Sequence, residues 1–225
     1  MMDDVRRSTA ALRPRRIQLQ LPSPVGELTI LEDVHGAGPG GCVWDAAVAL
    51  AQHIATELGS HGESSLRGKR VLELGAGTGV PGLAAALLGA DVVLSDRARA
   101  LPLLEQNAEA NELTSRVTVC ELEWGAPRLP EELSAVPDLV IAADVVAHPE
   151  SFEPLLATLQ LLIEGGASTV LIANKCRDEC EYTFWNRASE YFSIKTLQCG
   201  TSDVNRDGDE LPITIYELTD RRSVS

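Results

Sequence analysis

The stretch Val71-Leu-Glu-Leu-Gly75-Ala-Gly77-Thr-Gly79-Val-Pro-Gly82 constrains the fold more than any other part of this 225-residue chain. An apolar run of strand length passes into a glycine turn, and the turn passes into a helical run over residues 82–88. Glycine permits the positive φ of such a turn and lets the backbone approach a ligand closely. In an open α/β sheet, ligands bind beyond the carboxyl ends of the strands.

The rest of the chain extends this unit. Residues 91–95, 117–120, 139–143 and 169–173 read as strands, the last two unbroken and apolar as in strands buried on both faces. Residues 98–111, 152–163 and 181–192 carry helical spacing between them. Helices between apolar strands imply a mostly parallel sheet covered on both sides. Two late strands, 192–197 and 211–218, flank the polar loop 200–210 without a helix between them, which predicts an antiparallel edge hairpin. Upstream, 17–21 and 28–31 alternate around a Pro/Gly turn and predict a hairpin. Residues 36–41 form a Gly/Pro loop, Val43, Ala47, Leu50, Ile54 and Leu58 a helical stripe, and 59–65 a polar loop.

Composition narrows the function. Nineteen Lys and Arg against 33 Asp and Glu give a net charge of −14. That argues against a nucleic-acid partner, which needs a basic face for phosphates, and suits a basic protein or a small substrate. A mean hydropathy of +0.00 and the lack of a long apolar run argue against a membrane partner. Five scattered cysteines without a C-x-x-C pair predict reduced thiols, no metal site and a cytoplasmic location, with the nucleus as a second compartment. Residues 1–14 read as a flexible basic leader; Asp3 and Asp4 tell against a mitochondrial presequence. The remainder, 15–225, reads as one domain: a hairpin and helix over 17–65, then the α/β core over 66–220.

The glycines alone leave the cofactor open, because Gly77-Thr-Gly79-Val-Pro-Gly82 matches the dinucleotide fingerprint. Asp96, closing the next strand, could hold ribose hydroxyls in either scheme. The glycine run starts earlier, at Gly75, and the sequence beyond the fourth strand is committed to completing one sheet. Both points favour S-adenosylmethionine over NAD.

Five motifs occur in order: Cys42-Val-Trp44-Asp-Ala-Ala47, Leu72-Glu-Leu-Gly-Ala-Gly-Thr-Gly79, Ser95-Asp-Arg97, Leu122-Glu-Trp-Gly125 and Pro137-Asp-Leu-Val-Ile-Ala-Ala-Asp144. Together they resemble the eukaryotic seven-strand protein methyltransferases of the methyltransferase-like-21 group, over about residues 17–195. That group contains lysine methyltransferases of chaperones and elongation factors. The resemblance implies a three-layer, Rossmann-like seven-strand methyltransferase sheet, mostly parallel with an antiparallel last strand, preceded by the hairpin and helix. It implies S-adenosyl-L-methionine as cofactor and a protein substrate; the chain is expected to be a monomer. It also implies roles. Trp44 lines the methionine end of the cofactor, and Gly75, Ala76 and Gly77 form the loop beneath it, with Glu73 just before. Asp96 takes the ribose hydroxyls, Trp124 packs near the adenine, and Ala143 sits beside the cofactor.

Asp144, following a buried strand, is the expected catalytic residue: it would orient an incoming amine. The group carries an aromatic three residues later, where this chain has Ala147, followed by His148. That departure keeps a small-molecule acceptor, or a cofactor-binding interaction protein, as alternatives. His148 and Asn174 are further polar candidates.

Overall fold

Side chains of a strand alternate between the two faces of its sheet, and here both faces are apolar. The computed structural model describes residues 13–18, 26–58, 66–133, 135–177, 181–204 and 210–221. Strands β1 (Arg13–Gln18) and β2 (Glu27–Glu32) form an antiparallel pair. The main sheet is built from β3 (Arg70–Leu74), β4 (Asp91–Asp96), β5 (Val117–Glu121), β6 (Leu139–Ala143), β7 (Thr169–Lys175), β8 (Phe192–Val204) and β9 (Glu210–Asp220). Its order is β5-β4-β3-β6-β7-β9-β8. Strands β3 to β7 are parallel; β9 inserts antiparallel between β7 and the edge strand β8. The seven-strand sheet with an antiparallel last strand is the architecture expected from the sequence.

The helices are a short α1 (Val34–Ala37), α2 (Asp45–His53) running on into a π-helical turn (Ile54–Leu58), α3 (Val80–Leu87), α4 (Leu101–Ala110), α5 (Phe152–Glu164) and α6 (Glu181–Tyr191). On one side, Val71 of β3 and Leu139 and Ile141 of β6 pack with Leu50 and Ile54, Leu83 of α3 and Leu104 of α4. On the other, Leu72, Leu74, Val140 and Ala142 pack with Leu155 and Leu159 of α5 and Phe184 of α6. The unbroken apolar strands thus feed two cores, because successive residues face opposite layers.

The chain runs from β3 outward through β4 to β5, then returns to place β6 and β7 on the other side of β3. Ligand crevices in such sheets open where the strand order reverses, here beyond the carboxyl ends of β3 and β6.

Two asparagines tie the amino-terminal hairpin to this core. Asn107 Oδ1 accepts the Leu31 N–H at 2.7 Å, and its Nδ2 donates to the Leu31 carbonyl at 3.2 Å. One helical turn on, Asn111 repeats this with Thr29, at 2.9 and 2.8 Å. Asn107 lies in α4 and Asn111 caps its carboxyl end, and together they satisfy alternate backbone groups of β2 as a neighbouring strand would. No local sequence pattern marks either residue.

Some expected boundaries move. The strand begins at Arg13, not Ile17, and takes in the last two residues of the stretch read as a leader; residues 1–12 lie outside the described part. Backbone ladders need no apolar side chains; Arg15 and Arg16 stay exposed, Arg16 pairing with Glu27 at 2.6 Å. Strands β8 and β9 likewise run through much of the polar stretch first read as a loop, pairing as far as Val204 and Glu210. Residues 205–209 and the loop 59–65 lie outside the described residues. The Gly/Pro segment 36–41 is not a loop but the end of α1 followed by a 3-10 turn, Gly38–Gly41. Asp33 makes this possible: its Oδ1 caps the Gly36 N–H at 2.8 Å.

Candidate active site

The glycine turn after β3 is held from three sides. Ala76 N–H donates to the Ser95 carbonyl at 3.0 Å, Gly77 N–H to Asp96 Oδ2 at 2.8 Å, and Asn107 Nδ2 to the Thr78 carbonyl at 3.0 Å. Gly75 and Gly77 adopt φ of +61° and +57°, in the left-handed region that disfavours side chains. A Cβ on Gly75 would stand 2.9 Å from Trp124 Cζ2, and one on Gly77 would stand 2.8 Å from the Gly40 carbonyl oxygen. Glycine is therefore required by close packing of the turn as well as by its backbone angles.

Above this turn lies a cavity of about 820 Å³, within the usual range of small-molecule sites, roughly 300–1,000 Å³. Trp44, Glu73, Gly75, Ala76, Gly77, Asp96, Trp124, Ala143 and Asp144 all line it. The structure thus brings every cofactor and catalytic candidate to one opening at the carboxyl ends of β3, β4 and β6. Ala147 and His148 line it as well, both exposed at its mouth. Asn174 is not on the wall: buried, its Nδ2 donates to Glu181 Oε2 at 2.5 Å.

Glu73 forms part of the floor. It is buried, and its Oε2 accepts the Gly82 N–H at 2.8 Å, anchoring the first turns of α3. Burial pushes its carboxyl up to about 8; the Gly82 hydrogen bond opposes the rise and the Asp96 charge adds to it. Asp96 accepts Gly77 N–H on Oδ2 and Arg97 N–H on Oδ1, at 2.8 and 2.7 Å. Each carboxylate oxygen carries two lone pairs, so both retain acceptor capacity toward the cavity. A carboxylate with spare lone pairs at the end of β4, beside an indole and a tightly turned backbone, fits a nucleoside-containing cofactor.

Opposite the glycine turn, Trp44 precedes α2, with its Nε1 donating to the Pro39 carbonyl at 2.9 Å. Asp144 adopts φ +54° directly after β6. Its side chain is only 5% exposed and is held by Arg177, Nη1 to Oδ1 at 3.0 Å and Nη2 to Oδ2 at 2.8 Å. The Lys175 N–H adds a third bond, to Oδ1 at 3.0 Å. Nothing in the sequence pointed to Arg177. It lies thirty-three residues beyond Asp144 and belongs to no motif; only the pairing of β6 with β7 brings the two strand ends together.

Residues 23–191 match the family model described as lysine methyltransferase. The chain belongs to that family. Among curated proteins it is 38% identical over 177 residues to the protein N-lysine methyltransferase METTL21A of Danio rerio, covering 76% of each chain. It is 37% identical over 166 residues to EEF1A lysine methyltransferase 3 of Mus musculus, covering 72% of this chain and 68% of that one. Among solved structures, the T. thermophilus 16S rRNA methyltransferase RsmC, in complex with AdoMet and guanosine, superimposes with a TM-score of 0.62 at 21% identity. That match covers 93% of this chain and 51% of the other. Magnesium protoporphyrin IX methyltransferase from Synechocystis, with bound SAM, gives 0.52 at 18% identity, covering 78% and 77%. The structural likenesses carry the fold; the family match and the relatives carry the chemistry. This lysine methyltransferase family member is an S-adenosylmethionine-dependent enzyme.

Proposed function

We propose that this chain methylates the ε-amine of a lysine on a basic protein, with the cofactor along the glycine turn and the acceptor entering between Trp44, Ala147 and Asp144. The observation that carries this reading is the meeting of the glycine turn and Asp96 with the Trp44–Asp144 corner in one cavity. Asp96 would accept the ribose hydroxyls, Trp124 would offer its indole face near the adenine, and Gly75, Ala76, Gly77 and Ala143 would lie against the cofactor, over Glu73. S-adenosylmethionine supplies an electrophilic methyl group on a sulfonium. The chain's own task is alignment of the nucleophile and protection of its lone pair. A free lysine amine has a pKa near ~10.4, so holding it neutral at pH 7 costs on the order of 4–5 kcal/mol. Removing it from water into the cavity lowers that pKa. Asp144 would orient the amine by a charge-assisted hydrogen bond and stabilise the charge left on the methylated nitrogen.

The net charge of −14 supports a basic partner, and the relative named EEF1A lysine methyltransferase 3 supports a protein of the EEF1A kind. A monomer and a cytoplasmic location are part of the same reading, the location resting on five scattered cysteines without a C-x-x-C pair. The small side chain at Ala147 favours a second reading, in which the open mouth admits a small amine or hydroxyl compound.

The test is transfer from tritiated S-adenosylmethionine into a cell extract, followed by mass spectrometry. Label on lysine in a protein fraction is expected. Label confined to small molecules would move the assignment to the second reading. Intact cofactor binding with no transfer to either fraction would make the chain a binding protein.

A further inference from the structure

Arg177 sits between Asp144 and Trp44. Its guanidinium pairs with both oxygens of Asp144, at 3.0 and 2.8 Å, and its Cζ lies 5.2 Å from the centre of the Trp44 ring. Nη1 also donates to the Lys175 carbonyl at 3.0 Å. The hydrogen bond to Asp144, and the charges of Asp144, Glu181 and Asp45, raise its pKa against the opposing effect of burial. A desolvated carboxylate and an indole face together attract an organic cation by charge pairing and by the ring quadrupole. Trp44, Asp144 and Arg177 all line the candidate active-site cavity.

We propose that the Trp44–Asp144 corner is a subsite for the acceptor's ammonium group, and that Arg177 is a resident cation which the incoming lysine displaces. This rests on the lysine-methylation reading. Three features support it. The guanidinium stays protonated and offers no free lone pair, so it occupies the position without becoming an acceptor. Its side chain is 34% exposed against 5% for Asp144, so Arg177 has a way out to water while the carboxylate has none. Exchange of one cation for another never leaves the buried carboxylate unpaired, the state that makes breaking such pairs expensive. Methylated lysine keeps its positive charge, so the return of Arg177 also competes the product off the corner.

The experiment uses n-butylammonium, a lysine side-chain analogue, titrated into the full chain saturated with S-adenosylhomocysteine. Binding is read from the Trp44 indole N–H resonance, assigned with Trp44→Phe. Arg177→Gln should bind the probe at least fivefold more tightly than the wild type. Adding Asp144→Asn should remove the gain, and neutral n-butanol should show none. Arg177→Lys, which keeps a resident cation, should stay near the wild type. Far-UV circular dichroism and a cooperative thermal melt check that each variant is folded, and saturation with S-adenosylhomocysteine is verified for each. Equal affinities in wild type and Arg177→Gln, or a gain that survives Asp144→Asn, would overturn the proposal. Should Arg177→Gln fail to fold, the wild type decides alone: saturating n-butylammonium must shift the Arg177 Nε–H resonance, and an unmoved resonance rejects displacement. No methyl transfer enters this assay, so a small-molecule product in the extract experiment would sink the lysine reading independently of it.

Discussion

Replacing Glu73 with glutamine should flatten part of the pH dependence of stability. The native carboxyl titrates at about 8 against an ordinary 4.5, chiefly because it is buried. Between these values the folded chain keeps a proton that the unfolded chain has released. The native state then binds more protons, so stability falls as pH rises through this window and levels off above it. Each pH unit corresponds to about 1.4 kcal/mol, which makes the full fall on the order of 4–5 kcal/mol. Glutamine stays neutral throughout. Like the protonated acid it offers one acceptor for the Gly82 N–H and a donor beside it. The assay is urea unfolding followed by circular dichroism at pH 5 and pH 8.5, without cofactor. At pH 5 the two proteins should agree within about 1 kcal/mol, the usual effect of a volume-conserving change. At pH 8.5 the variant should be more stable by several kcal/mol. All other titrating groups contribute to both curves, so the difference isolates Glu73. Parallel stability curves across this range would refute a proton held by the buried carboxyl.

Three further outcomes follow from the same geometry. Gly77→Ala combines a positive φ, unfavourable by about 1–2 kcal/mol, with a Cβ 2.8 Å from the Gly40 carbonyl oxygen; it should lower Tm and abolish S-adenosylhomocysteine binding, and normal calorimetric binding would show that the turn can open freely. Asn107→Ala strands the Leu31 N–H and the Leu31 and Thr78 carbonyls; at roughly 1–3 kcal/mol for each buried polar group left unmade, urea unfolding should register a loss of at least about 2 kcal/mol. Asp96→Ala should weaken S-adenosylhomocysteine by about 1.5–3 kcal/mol, the range for hydrogen bonds to a charged group; unchanged affinity would remove Asp96 from the ribose site.

Much of the architecture was legible locally. A strand buried on both faces, such as Leu139–Ala143, must be apolar throughout, and a turn with φ of +61° and +57° must be glycine. Such demands are met by neighbouring residues, so they survive in a one-dimensional pattern. That Glu73 to Gly77 and Asp96 line one cavity has the same origin: they sit at strand ends, where the chain must leave the sheet. The strand ends at Arg13 and Val204 were not legible, because backbone pairing continues wherever a partner strand lies alongside, whatever the side chains. Nor did any local pattern mark Asn107 and Asn111, whose partners in β2 lie 76 and 82 residues away. Arg177 belongs with them. In the sequence it is an arginine in a polar stretch after β7; the parallel pairing of β6 with β7 and the packing of α2 above them turn it into the cation between Asp144 and Trp44. The sequence by itself determined the sheet and its glycine turn, since both follow from backbone and burial requirements of adjacent residues, and its five motifs carried the resemblance that implied the class of chemistry. Only the tertiary structure decided which charge meets Asp144, since a side chain's partner depends on how distant strand ends are brought side by side.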